Sequence, residues 1–195
     1  MIAIIDYDMG NIRSVENALH RLGAEYKLTA DPAEIRKADR VILPGVGHCG
    51  QAVENLRERG LVDVIKDLRR PVLGICVGMQ AMCRHTEEGN ADGLGIFDAR
   101  VTRFDDSLGI KVPHMGWNQI SNLDSKLLRD IRGGEYVYFV HSYYASLGPD
   151  TIATTTYGSV MFSAALKYEN FYGTQFHPEK SGDAGSRILS NFLKL

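Results

Sequence analysis

Cysteine is sparse here, three in 195 residues, and an odd small count does not make a disulfide framework. The three read as reduced thiols. Charge of one sign is also missing: 22 basic against 24 acidic side chains leave a formal charge of −2, with no basic arm or lysine and arginine block. The electrostatic footprint of nucleic-acid binding is therefore absent. No apolar run approaches the ~20 residues that span a bilayer. The opening Met1-Ile2-Ala3-Ile4-Ile5-Asp6 has neither the charged start nor the cleavage site of a signal peptide, so the cytoplasm is the expected location. No second Cys/His pair at ligand spacing accompanies Cys76 and Cys83, so no metal is expected. There is no Walker A sequence for ATP and no linker, repeat or low-complexity segment. One domain over residues 1–195 is expected, long enough to bury roughly 70% of the surface its unfolded chain exposes.

What is present alternates between two periods, the signature of strand, helix and strand again. Ile2 to Ile5 is a continuous apolar run, as in a strand covered on both faces. Asn11 can cap a helix whose Ile12, Val15, Leu19 and Leu22 share one face, with Gly23 as its stop. Glu25 to Thr29 reads as a second strand, Pro32 to Lys37 as a short helix, and Arg40 to Leu43 as a third strand. Leu61, Val62, Ile65 and Leu68 give another amphipathic helix, and Pro71 to Ile75 another buried strand. The fold class is α/β: a doubly wound, mainly parallel open sheet with helices on both faces. From about Gly93 the stretches Ala99–Phe104, Tyr136–Val140, Ile152–Thr156, Ser163–Tyr168 and Phe171–Phe176 predict an antiparallel extension. Ser181 or Asp183 can cap a closing helix carrying Ile188, Leu189, Phe192 and Leu193.

Cys76 lies in Gly74-Ile75-Cys76-Val77-Gly78, after a buried strand and before a helix start at Met79-Gln80. This is the thiol version of the nucleophile elbow, whose small flanking residues let a strained turn close and a carbonyl approach. The alternative is a buried small hydrophobe, the usual fate of a free cysteine. Acyl transfer by a thiol also needs an imidazole to move protons and a carboxylate to orient it. His177-Pro178-Glu179 offers both, and extended geometry after Phe171–Gln175 would put positions 177 and 179 on one side. A surface histidine followed by a turn is the alternative there, and pairing with Cys76 favours the catalytic reading. Among the remaining histidines His141 is the reserve candidate, while His20, His48, His85 and His114 lack partner spacing. Gly45-Val46-Gly47-His48-Cys49-Gly50 matches the dinucleotide fingerprint in form, but it follows the third strand rather than the first. It reads better as a loop beside Cys76 whose backbone N–H groups meet a developing oxyanion.

These residues, with the P-G-x-G of Pro44 to Gly47, resemble the class I, triad-type glutamine amidotransferases, which share a flavodoxin-like sheet. More narrowly, Ile5 to Asn11, Pro113 to Asn118, Tyr138 to Tyr144 and Gln175 to Ser181 resemble the glutaminase subunits of imidazole glycerol phosphate synthases, over essentially the whole chain. The resemblance implies a triad of Cys76, His177 and Glu179 that hydrolyses glutamine to glutamate and ammonia without a cofactor. It implies an oxyanion and substrate site at Gly45, Val46, Gly47, Val77, Gln80, His141, Ser142 and Tyr143. It also implies a heterodimer with a (β/α)8-barrel cyclase that receives the ammonia in histidine biosynthesis, with Asn11, Met115, Trp117 and Lys180 near that interface. Asp8 stands where glycine is expected in the opening motif, and Cys49 and Cys83 where larger apolar residues are expected. Three rivals remain at this point: a peptidase or chaperone of the same broad fold, in which histidine rather than Val77 would follow the nucleophile; a non-catalytic scaffold; and a glutaminase serving another synthase.

Overall fold

The computed structural model describes all 195 residues. In chain order they form β1 (Ile2–Ile5), α1 (Ile12–Arg21), β2 (Tyr26–Thr29), α2 (Pro32–Lys37), β3 (Arg40–Leu43), α3 (Cys49–Glu58), α4 (Leu61–Lys66), β4 (Val72–Ile75) and α5 (Val77–Ala81). There follow β5 (Cys83–Thr86), β6 (Ala91–Asp92), β7 (Phe97–Arg103), β8 (His114–Gln119), β9 (Tyr136–His141) and β10 (Tyr143–Ala145). The chain closes with β11 (Thr151–Tyr157), β12 (Val160–Tyr168), β13 (Phe171–Thr174) and α6 (Gly182–Phe192).

The main sheet has seven strands in the order β11-β12-β13-β4-β3-β1-β2. The five from β2 to β13 are parallel, and β12 and β11 extend the edge antiparallel; of the five segments expected in that extension only Ile152–Thr156 and Ser163–Tyr168 lie there, because Phe171–Phe176 supplies the parallel strand β13 and Ala99–Phe104 and Tyr136–Val140 pair in separate sheets. Two smaller sheets, β10-β7-β5-β6 and the hairpin-like pair β8-β9, cap the carboxyl end. β1, β4 and β13 are buried at every position, which is why β1 and β4 read as unbroken apolar runs rather than alternations. The β1-to-β2 crossover steps one way across the sheet, whereas β2 to β3 and β3 to β4 step the other. Right-handed crossovers therefore put α1 on one face and α2, α3 and α4 on the opposite one. The core joins both layers, with Leu19, Ile42, Phe162 and Phe192 among its fully enclosed side chains. Each buried aliphatic contributes about 1.5–3 kcal/mol. No helix is long and apolar enough to cross a membrane.

Several local expectations are corrected. Asn11 stands at the N-cap of α1 but its side chain makes no capping bond, and the same holds for Ser181 at α6. Ser181 is otherwise engaged: its hydroxyl donates to the His177 carbonyl at 2.6 Å and accepts from Tyr138 N–H at 2.9 Å. The segment read as all loop from Gly45 to Gly50 turns into α3 at Cys49, capped by His48 Nδ1 accepting from Gln51 N–H at 3.2 Å. Leu68 is buried but lies beyond the last turn of α4.

Candidate active site

β4 ends at Ile75, and the next residue turns sharply into α5. Cys76 adopts φ 54° and ψ −109°, a conformation that costs an L-residue about 1–3 kcal/mol unless its surroundings enforce it. Two contacts do so. Cys76 N–H donates to the Thr174 carbonyl of neighbouring β13 at 2.7 Å, and Gly78 lies so close to β3 that a Cβ there would stand 2.0 Å from the Leu43 oxygen. The sulfur is thereby presented at the carboxyl end of the central strand, as the glycine-flanked pentapeptide predicts.

The adjacent strand β13 leads to His177. His177 Nδ1 lies 2.7 Å from Glu179 Oε1, with both side chains almost wholly enclosed. Since the carboxylate accepts, Nδ1 carries the proton and Nε2 is left for chemistry. The two residues meet through a 3-10 turn over Pro178–Lys180 and not through an extended stretch; proline favours the first position of such a turn. Backbone bonds also anchor His177, whose N–H donates to the Tyr138 carbonyl at 2.9 Å. Nε2 and Glu179 Oε2 are buried without a hydrogen-bond partner.

His177 and Cys76 line one cavity, yet no hydrogen bond of ordinary geometry joins Sγ to Nε2 in this arrangement. Burial disfavours the imidazolium, but the Cys76 sulfur and the Glu179 carboxylate outweigh it and push the His177 pKa up to about 10. Because the folded value lies above the ordinary 6.5, the proton on His177 stabilises the fold most below pH 6.5, and that contribution fades as pH rises through about 10. With the sulfur the largest raising influence, Cys76→Ala is expected to move the His177 pKa down toward 6.5; an NMR titration of its ring protons measures this, and an unmoved value refutes the coupling.

The cavity has a volume of about 270 Å³, and Val46, Gly47, Val77, Gln80, His141, Ser142 and Tyr143 all contribute to its wall. Gly45 stands just outside, wedged against α5, with room for no side chain: a Cβ would lie 2.5 Å from Gly78 N. The loop is where the sequence places it, but its polarity differs from the expectation. The Gly45 carbonyl accepts from Val77 N–H at 3.4 Å, so the N–H on the same peptide plane, that of Val46, points the other way. Tyr7 fixes the loop's start by donating from its hydroxyl to the Pro44 carbonyl at 2.5 Å. Across the cavity, Gln80 Nε2 donates to the Tyr143 carbonyl at 2.9 Å and to Gln175 Oε1 at 3.0 Å, and Gln175 Nε2 reaches Cys76 Sγ at 3.7 Å. Tyr143 faces Arg103 as a non-hydrogen-bonded pair, because Phe104 N–H already bonds the Ser142 carbonyl at 3.0 Å. Its own N–H is thus turned away from β7.

Glu88 leaves no signal in the sequence. Its carboxylate joins the cavity wall while one oxygen accepts from Cys49 N–H at 2.6 Å. Only the closeness of its turn to the Gly45–Gly50 loop, a tertiary contact, reveals it. His141 is not a second base: it is buried, its ring nitrogens are both engaged, and burial together with His114 and His177 holds its pKa down to about 3. A larger hollow of about 590 Å³ opens at the opposite, amino end of the sheet around Arg69, Lys126 and Lys194, and neither cysteine nor histidine lines it. The other cysteines are enclosed; burial pushes the Cys49 thiol up to about 12 and Cys83 well above its ordinary value.

Met115 and Trp117 point outward from β8, 63% and 55% exposed, and the indole meets Tyr138 edge-on at 6.0 Å. Lys180 is exposed in the turn after His177, and that turn packs against α1, whose N-cap is Asn11. Asp8 occupies a left-handed conformation, φ 63°, where glycine would be unstrained, and its carboxylate pairs with Arg59. That accounts for an aspartate at this turn.

The profile of the class-I glutamine amidotransferase family matches residues 3–195. The imidazole glycerol phosphate synthase subunit HisH of Bacteroides fragilis is 55% identical over 195 residues, covering 100% of this chain and 99% of the relative. The protein of the same description from Escherichia coli K12 is 46% identical over 196 residues, with the same coverage. Among solved structures, a glutamine amidotransferase superposes with a TM-score of 0.75 at 19% identity over 100% of this chain and 98% of that one. PurLQS from Thermotoga maritima gives 0.71 at 17% identity, covering 99% and 97%. These last two speak to the fold alone. With its family profile matched from end to end and relatives at half identity over their full length, the chain belongs to the class-I glutamine amidotransferases, among the glutaminase subunits of imidazole glycerol phosphate synthase.

Proposed function

We propose that the chain hydrolyses glutamine through Cys76, His177 and Glu179 and passes the ammonia to a (β/α)8-barrel cyclase partner in the cytoplasm, working as one domain. The observation that carries the reading is the division of labour on His177: Nδ1 is spent on a buried carboxylate, and an unpartnered Nε2 is left in the cavity that holds Cys76. The thiol proton passes to His177 Nε2 as Sγ attacks the side-chain amide carbon of glutamine, and the carbonyl electrons move onto oxygen. As they return, the C–N bond breaks and Nε2–H protonates the departing nitrogen, giving ammonia and a glutamyl thioester. Water then adds to the thioester with its proton passing to Nε2, the C–S bond breaks, and glutamate leaves. Glu179 keeps the ring in one tautomer throughout. Glu88 has the charge to meet the α-ammonium of the substrate, and the Tyr143 N–H the direction to meet its carboxylate.

In the resting loop, the Gly45 carbonyl occupies the Val77 N–H that would stabilise the oxyanion. A flip of the Gly45–Val46 peptide would free that donor and add a second, Val46 N–H. Glycine on either side of Val46 lowers the steric cost of the flip. The exposed Met115 and Trp117, with Asn11 and Lys180, form the face on which the barrel partner would dock and favour the flip. Rim apolar side chains this open on a strand are suited to a partner.

The test is glutamate release by the purified chain, alone and with a barrel cyclase and its ribonucleotide. Activity confined to the full mixture, and absent with Cys76→Ala, is the expected result. Full activity of the lone chain refutes the resting-loop reading, and activity surviving in the variant refutes the nucleophile.

A further inference from the structure

His114 and His141 lie 27 positions apart and meet in the core, His114 Nδ1 at 2.9 Å from His141 Nε2. Hydrogen bonds at both ends fix the order of protons along this pair. At one end, Asn118 cannot rotate its amide freely, because Oδ1 accepts from Gln119 N–H at 2.8 Å and Nδ2 donates to the Thr156 carbonyl at 3.0 Å. Its remaining N–H meets His114 Nε2 at 3.2 Å, so that nitrogen accepts and the ring proton sits on Nδ1. At the other end, His141 Nδ1 lies 2.7 Å from the Tyr143 carbonyl, an acceptor only, so His141 also carries its proton on Nδ1. The four groups form one directed chain with no free choice of tautomer.

The rings are held as firmly as the protons. His114 is stacked between Phe139, with centroids 4.8 Å apart, and Tyr157, at 4.0 Å. His141 lies among Phe104, Phe139 and Phe162. The carbonyl at the end of the chain is the one that also receives Gln80 Nε2–H, so it fixes both Gln80 and the Ser142–Tyr143 edge of the cavity. At its beginning, His114 and Asn118 face inward from β8 while Met115 and Trp117 face outward from the same strand.

We propose that His114 is a positioning residue: with Asn118 and His141 it forms a proton-ordered relay that sets the Tyr143 carbonyl, and through it Gln80 and the substrate edge of the cavity. The proposal rests on that cavity being the glutamine site. A second proton on either ring would set two N–H groups against each other, consistent with pKa values pushed down by burial to about 4 for His114 and about 3 for His141. The relay is also a rigid link between the outer face of β8 and the wall that holds the substrate.

Two measurements decide it. In the unaltered chain, long-range proton–nitrogen NMR is expected to show both rings as the Nδ1–H tautomer between pH 5.5 and 8, the less common form in free histidine. A proton on Nε2 of either ring overturns the proposal whatever the enzyme does. In the complex with the barrel partner and ribonucleotide, His114→Phe keeps the aromatic stack and removes the relay. It is expected to raise the KM for glutamine about tenfold while changing kcat less than about threefold. His114→Gln, able to accept from Asn118 and donate to His141, is expected to recover most of that loss. A His114→Phe complex that is less thermostable but has an unchanged KM shows a structural role only and overturns the proposal. If that variant fails to fold, the tautomers decide alone. An unaltered complex with no glutaminase activity refutes the glutamine reading instead, and the tautomers are read independently of it.

Discussion

Replacing Cys76 with alanine is expected to lower glutamine hydrolysis by about 10⁴-fold or more, since no other thiol lines the cavity that holds His177. The same position makes a less ordinary forecast about stability. At φ 54° and ψ −109° a Cβ is strained, whatever lies beyond it. Cys76→Gly is therefore expected to be more stable than Cys76→Ala by about 1–2 kcal/mol, reversing the usual penalty of about 0.5–1 kcal/mol for glycine in regular structure. Denaturant unfolding of the two inactive variants measures the difference. Alanine equal to glycine or better would mean that the elbow stores no strain.

Gly78→Ala is expected to be among the most damaging single methyl groups in the chain. Its Cβ would lie 2.0 Å from the Leu43 carbonyl oxygen and 2.9 Å from the carbon, both backbone atoms of a central strand with nowhere to retreat. Either α5 tilts off β3, carrying the elbow with it, or β3 moves against β1 and β4. The expected cost is about 3 kcal/mol, at the upper end of overpacking, with activity lost even in the folded fraction because Cys76 is displaced. Gly133→Ala is the matched control: nothing lies within 4 Å of its Cβ, and its stability is expected to stay within about 0.5 kcal/mol of the unaltered chain. Equal melting temperatures for the two variants would refute the close approach of α5 to β3.

The parallel half of the fold is legible because strands covered on both faces must be apolar throughout, and Ile2–Ile5 and Val72–Ile75 are. Cys76 is legible because few local geometries require glycine on both sides of a thiol. The His177–Glu179 pairing follows from the spacing, but its geometry does not: two residues apart fits a 3-10 turn as well as a strand, and Pro178 decides between them. Local sequence does not announce the capping residues, because Ser181 finds better partners in His177 and Tyr138 than in its own helix. The strand at His114–Gln119 is hidden because its alternation is inverted, with apolar Met115 and Trp117 outward and polar His114 and Asn118 inward. Glu88 and the His114–His141 contact depend on segments brought together from distant parts of the chain, and the direction of the Gly45 carbonyl is a matter of one peptide plane.

Cys76 and its neighbour Gln175 are 99 positions apart, joined through two parallel strands, β4 and β13, whose Gly74 and Gly173 stand side by side. Contacts of that sequence separation close slowly and late, after the local βα units have formed. During synthesis Cys76 emerges long before the strand and turn that carry His177. A nascent or carboxyl-terminally cleaved chain has the Cys76 thiol but not His177, and under the proposed triad is expected not to hydrolyse glutamine. The topology itself withholds the chemistry until the last β-strand is in place.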